Sequence, residues 1–130
     1  MIILDTHIWI WWVDKHPNLT SDYENAIKSH ESGGLGVSII SCWEVAKLVE
    51  NGKLNFSCSV EDWIEKALLY PNIQLLDLTP KIVVESTQLP SGFHKDPSDQ
   101  MIVATARVLD IPLVTYDIKI RAYSHVKLLP

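Results

Sequence analysis

The chain has 130 residues, a length that suits one domain burying roughly two-thirds of its unfolded surface. At 47% hydrophobic and 21% charged residues it is not a disordered chain, and no apolar run approaches the ~18 residues that span a bilayer. The formal net charge of -5 lacks the basic footprint usual for a nucleic-acid protein, an objection that weakens if several acids serve one metal site.

Ile2-Ile3-Leu4 reads as a short buried strand ending at Asp5. The N-terminus lacks the basic start of a signal peptide, and Asp5 interrupts its apolar run, so the expected location is the cytosol, with no membrane association. Thr6 is placed to cap a helix carrying Ile8, Trp9, Trp12 and Val13 on one face, which His16-Pro17-Asn18 breaks. Ser21-Asp22-Tyr23-Glu24 has the form of a capping box, opening a helix to about His30. A loop at 32–34 leads to a second strand over 36–40. Ser41-Cys42-Trp43-Glu44 forms another capping box, opening a helix that ends at Asn51-Gly52.

Residues 59–69 form an amphipathic helix with Val60, Trp63, Ile64, Ala67 and Leu68 on one face, and 73–76 form a third strand. Thr79-Pro80 starts a helix to about Gln88, and Asp96-Pro97 starts another carrying Ile102, Ala106 and Leu109. Residues 111–115 read as a fourth strand, a polar stretch follows Asp117, and 126–128 are a candidate fifth. Short apolar strands alternating with helices indicate an α/β fold: a three-layer α/β/α sandwich with a central, mostly parallel sheet of four to five strands. Nothing divides the chain, so residues 1–130 read as a single domain. Cys42 and Cys58 lack the spacing of a zinc or redox pair and read as reduced fillers.

Ligands of an open parallel sheet bind beyond the carboxyl ends of its strands. Asp5 follows the first strand, Glu44 lies in the first turn after the second, and Asp117 follows the fourth. Asp96 and Asp99 open a helix running back against the strands, so all five can meet at one edge. Magnesium and manganese take such oxygen ligands, and in a two-metal site ions ~4 Å apart can polarise a phosphodiester and activate water. Crowded carboxylates without a cation repel one another, so the cluster implies a metal. Setting these five aside leaves eleven acids against eleven Lys and Arg.

Each acid has a structural explanation when taken alone: Glu44 can close a capping box, Asp96 can cap, Asp99 can complement a helix dipole, and Asp117 can sit in a turn. Only their joint placement favours chemistry. Asp77 also ends a strand and is left out. His7 and His94 adjoin site acids without metal-pair spacing, which favours packing or the orienting of carboxylates. The run Ile8-Trp9-Ile10-Trp11-Trp12 reads mainly as core, with one Trp left over for a partner surface.

Leu4-Asp5-Thr6-His7, then Ser41-Cys42-Trp43-Glu44-Val45-Ala46 leading to Gly52-Lys53-Leu54, resembles the opening half of PIN-domain toxins of the VapC type. The segment from His94-Lys95-Asp96-Pro97-Ser98-Asp99 to Ala106 resembles that family's third motif, and Ile111-Pro112-Leu113-Val114-Thr115-Tyr116-Asp117 its fourth. Ser98 and Gln100 depart from the related branch, where an aromatic and an arginine are commoner.

The resemblance implies a magnesium-dependent endoribonuclease, with manganese as a substitute. It would be the toxin of a toxin–antitoxin pair, hydrolysing RNA with a metal-activated water to leave a 5′-phosphate and a 3′-hydroxyl. Asp5, Glu44 and Asp99 would hold the main metal, with Asp96 and Asp117 completing that site or a second one. Thr6, Ser41 and Thr115 match hydroxyl positions that orient carboxylates. The resemblance also implies a homodimer silenced by a small antitoxin that enters the groove, and contact with operator DNA through that antitoxin. Helices at 7–13 and 59–69 are candidates for these protein contacts. Lys47, Lys119 and Arg121 are candidate RNA phosphate contacts, on their nearness in sequence to the acids. The alternatives are a non-catalytic PIN-like module binding protein or RNA, and a phosphatase using Asp5 as nucleophile. The latter usually needs an acid where His7 stands.

Overall fold

Ile2–Leu4 forms β1, whose side chains leave on alternate faces as the strand pleat requires. Ile2 and Leu4 enter one core with Leu35, Val37 and Val114, while Ile3 enters another with Leu113. In the computed structural model, which describes residues 1–130, the other strands are β2 (Leu35–Ser38), β3 (Ile73–Leu76) and β4 (Leu113–Val114). They form one parallel sheet in the order β3-β2-β1-β4. Ile3 faces Gly36 on one side and Leu113 on the other. The chain therefore builds outward from β1 in both directions.

Helices cover both faces. α1 (Thr6–Asp14), α2 (Ser21–His30), α3 (Ile39–Glu50) and α4 (Val60–Leu68) send Trp9, Ile27, Val45 and Trp63 into the first core. α6 (Pro97–Leu109) and α7 (Ile118–Arg121) send Ile102, Val103, Ala106 and Ile120 into the second, and α5 (Pro80–Ser86) packs against α6. Each fully buried Ile, Leu or Val contributes roughly 1.5–3 kcal/mol through its removal from water. The result is the expected α/β/α sandwich.

Several caps fall where the sequence puts them. Thr79 and Asp96 accept the amides of Ile82 and Asp99, and Gly52 takes the positive φ of 70° after α3; Ser59, read as the first residue of its helix, instead caps it by accepting the Asp62 amide. Others differ. The strand expected over 36–40 stops at Ser38, where its neighbour β3 also stops, and the Ser38 hydroxyl caps α3 by accepting the Ile40 amide at 3.2 Å. Ile39 and Ile40 are thus helical despite their β-branched side chains, and Glu44 lies in the second turn of α3, not the first.

Asp5, not Thr6, caps α1, and Thr20 precedes α2 with no side-chain cap bond. Its hydroxyl lies 3.0 Å from that of Tyr116 instead. The expected fourth strand keeps only two residues. The candidate fifth reduces to one bridge between Leu113 and Leu128, and the polar stretch after Asp117 is α7. No helix is long and apolar enough to cross a membrane.

Candidate active site

The sheet order places the site. The chain leaves β1 toward β2, while β4 lies on β1's other side, so a crevice opens past the adjoining carboxyl ends of β1 and β4. Asp5 and Thr115 stand at those two ends. Asp5 is only 9% exposed and is held at both oxygens: Oδ1 accepts the Thr6 amide at 2.8 Å and Oδ2 the Thr115 hydroxyl at 2.5 Å. The same Thr115 oxygen accepts the Asp117 amide at 2.9 Å, and Asp117 Oδ1 caps α7 by accepting the Ile120 amide at 3.0 Å. One buried hydroxyl thereby couples two acids.

Glu44 reaches the crevice from α3. Its Oε1 accepts the Thr6 hydroxyl at 2.5 Å, and Thr6 Oγ1 also lies 2.9 Å from Ser41 Oγ. One proton cannot serve both oxygens, and an ionised carboxylate can only accept, so Glu44 takes it. Freed from capping, Ser41 is buried where it supports Thr6. Asp96 Oδ1 accepts the Asp99 amide at 3.0 Å and the Ser98 hydroxyl at 2.8 Å, and Gln100 Nε2 donates to the His94 carbonyl at 3.0 Å. The two residues that depart from the related branch thus brace the turn carrying Asp96 and Asp99.

Asp5, Glu44, Asp96, Asp99 and Asp117 all line one cleft of about 300 Å³, together with His7, Ile8, Trp11 and Tyr116. A pocket of about 410 Å³ elsewhere, lined by Trp12, His16 and Tyr70 among others, gathers no such cluster. Chemistry, not volume, marks the site. From sequence His7 reads only as a packing or carboxylate-orienting residue, and Trp11 and Tyr116 are given no place in the site. Tyr116 sits between Thr115 and Asp117, and Trp11 follows His7 by one helical turn, so their positions in the motifs carried a signal.

No Lys or Arg pairs with any of the five acids. Burial, followed by the negative charges of Asp5, Asp96, Asp117 and Glu44, pushes the Asp99 carboxyl up to about 8. Burial likewise raises Asp5 to about 6, against the opposing bonds from Thr115 and Thr6. For Asp96 burial is the largest influence and works upward, but bonds from the Asp99 amide and Ser98 outweigh it and leave the carboxyl below its ordinary value. A set of five carboxylates with surplus negative charge and no Lys or Arg partner fits a hard divalent cation.

Ligand atoms of Asp99, Asp117 and His94 lie within 4.8 Å of one another, and His94 Nε2 is 3.1 Å from Asp99 Oδ2. The Asp96 amide points at His94 Nδ1 at 3.4 Å, which leaves Nε2 as the protonated nitrogen. A protonated Nε2 orients Asp99 and does not ligate, although its N–H is not aligned for a full hydrogen bond. Asp99 and Asp117 therefore remain as the donors of that group.

The cationic candidates separate. Lys119 lines a depression adjoining the acids. Lys47 is paired with Glu50 at 2.9 Å and does not line the cleft. Arg121 donates to the Thr115 carbonyl at 3.1 Å and the Pro130 carbonyl at 3.2 Å, tying the C-terminus to the end of β4.

Thr115→Val keeps the volume of a buried side chain while removing the hydroxyl shared by Asp5 and Asp117. A 10–100-fold loss of divalent-metal affinity is expected, the usual effect of removing a group that orients a ligand. Titration calorimetry measures it, and an unchanged affinity would show that the two acids are positioned without Thr115.

The sequence profile of the PIN domain matches residues 2–126. This chain belongs to the PIN-domain family. The PIN domain is 31% identical over 124 residues to Ribonuclease VapC22 of Mycobacterium tuberculosis (strain ATCC 25618 / H37Rv), spanning 95% of this chain and 92% of that protein. VapBC2 from Rickettsia felis, solved bound to a DNA fragment from its promoter, superposes with a TM-score of 0.71 at 20% identity, over 98% of this chain and 97% of that one. FitAcB from Neisseria gonorrhoeae superposes with a TM-score of 0.70 at 20% identity, over 100% and 97%. At such identities the structural likeness establishes the α/β/α fold of this PIN domain.

Proposed function

We propose that this PIN domain, acting as a single domain over residues 1–130, is a magnesium-dependent endoribonuclease of the VapC type and the toxin of a toxin–antitoxin pair. The observation that carries the reading is the meeting of Asp5, Glu44, Asp96, Asp99 and Asp117 in one cleft with no Lys or Arg paired to any of them. The relative named as a ribonuclease supports the choice of RNA. Asp5, Glu44 and Asp99 would hold the main ion, with Asp117 and Asp96 completing that site or a second. Held there, magnesium, or manganese in its place, would supply the charge that polarises a phosphodiester and a water for hydrolysis. Thr115 and Thr6 hold Asp5 and Glu44 in fixed orientations, so the site is preorganised before the ion arrives.

The toxin role draws its support from the named relative and from solved VapBC complexes. It implies a small antitoxin as partner, operator DNA reached through that antitoxin, a homodimer and a cytoplasmic setting. Trp43, next to Glu44 in sequence on α3 and 50% exposed, offers apolar surface for such a partner.

Single-stranded RNA incubated with the protein and magnesium should be cut, leaving 5′-phosphate ends. Chelation by EDTA and the Asp5→Asn change should each abolish the cut. Cleavage that survives both would sink the metal mechanism.

A further inference from the structure

The carboxylate cleft continues beyond its acids. Asp96, Asp99 and Asp117 also wall a second depression, completed by His94, Ile118 and Lys119. His94 and Lys119 in turn line a third, with Phe93 and Tyr123. The second shares residues with each of the other two, so the three depressions follow one another as a groove leading off the acids.

Lys119 is the only Lys or Arg lining that groove, and it forms no ion pair. Beside it the half-buried rings of Phe93 and His94 lie 4.3 Å apart at 46°, and Phe93 meets Tyr123 edge-on at 4.9 Å. The Tyr123 hydroxyl is engaged by the Pro90 carbonyl at 2.6 Å, so the ring that supports Phe93 is itself fixed. The groove therefore runs from acids to a lone cation to an aromatic shelf.

We propose that this branch of the groove holds an unpaired RNA strand on one side of the scissile phosphodiester, with Lys119 taking a neighbouring phosphate and the Phe93–His94 shelf receiving a base. The assignment rests on the ribonuclease reading of the site. A strand passing through a cleft of five acids is repelled along its backbone, and a cation just past Asp117 answers the first charge outside the cleft. Aromatic faces accept any unstacked base, whereas bases in a duplex keep their faces buried in the helix.

The test is equilibrium binding of a fluorescent single-stranded decaribonucleotide, with Ca2+ replacing Mg2+ so that the strand is held without being cut, over a range of salt. Lys119→Ala should weaken binding and flatten the slope of log K against log salt by about 0.7, the contribution of one phosphate on a single strand. Phe93→Leu keeps an apolar filler but loses the ring face, and should weaken binding about five- to hundredfold. Lys127→Ala, which removes a cation paired to Asp110 at 2.7 Å at the far end of α6, should leave the slope unchanged. A duplex of the same sequence should bind more weakly than the single strand.

The groove is overturned if the wild type does not hold the strand, or if both groove variants bind it as wild type does. It is also overturned if those variants lose only the binding of a protein partner. Lys119 is exposed, so its variant decides the matter even should Phe93→Leu fail to fold. A wild type that binds the strand with the expected variant effects, yet never cuts it with Mg2+, would fail the ribonuclease reading and leave the groove standing.

Discussion

On the proposed ribonuclease reading, Asp99→Asn is expected to lower magnesium-dependent RNA cleavage by about 10³-fold, because removing a metal ligand would withdraw several kcal/mol of charge stabilisation. The same change should raise the melting temperature of the metal-free protein at pH 8.5. Those two effects have one origin. Burial and four neighbouring acids hold the Asp99 carboxyl up near 8, so ionising it opposes folding until a cation arrives. Asparagine keeps the shape, and its oxygen can still face His94 Nε2. Cleavage kinetics and thermal melting without metal read the two effects separately. A variant that cleaves within tenfold of wild type, or melts lower than wild type at pH 8.5 without metal, contradicts the placement of Asp99 among the ligands.

Metal-free protein should lose thermal stability steadily from pH 5 to pH 8.5. Asp5 and Asp99 hold their protons more tightly folded than unfolded, since their folded values of about 6 and about 8 lie above the ordinary 3.8. Their contribution is full below about 4 and is lost as pH rises through 6 and then 8. Asp96 has the opposite shift, and both its folded and unfolded values lie below this window, so its contribution stays constant across it. On the proposed reading saturating magnesium would bind the ionised cluster, and should therefore raise the melting temperature more at pH 8 than at pH 5. Calorimetric melts with and without metal check the sign. A metal-free protein whose stability rises over this range, or a magnesium effect larger at pH 5, would show that these acids are not strained by one another.

The sequence left two kinds of feature unresolved. Ser41-x-x-Glu44 has the spacing of a capping box, and only the end of β2 shows that Ser38 caps instead. The strand pairing of Ser38 with Leu76 decides that boundary, a contact 38 residues away along the chain. The correction alters the role of Glu44. With no capping duty it has no local reason for its position, and its bond to Thr6 across the crevice supplies one. Likewise Lys47 and Lys119 both stand within three residues of a site acid in sequence, yet one pairs with Glu50 and the other lines the groove.

Four of the five acids were visible in the sequence because Asp5 and Asp117 follow strands while Asp96 and Asp99 open a helix, and those boundaries are written locally in apolar runs, prolines and capping residues; Glu44 was reached through a strand end placed two residues too late. The sequence by itself therefore determined the α/β class, the five acids and the family. Asp5 and Asp77 look alike at that level, since both end short apolar strands. Tertiary structure separates them. β1 is central and adjoins β4 at the crevice, while β3 is an edge strand, and Asp77 does not line the cleft. Strand order follows from which faces bury together over long separations, and no local pattern records it. The same order hands Asp5 and Asp117 to a single threonine hydroxyl, and sets Lys119, Phe93 and His94 in line beyond them.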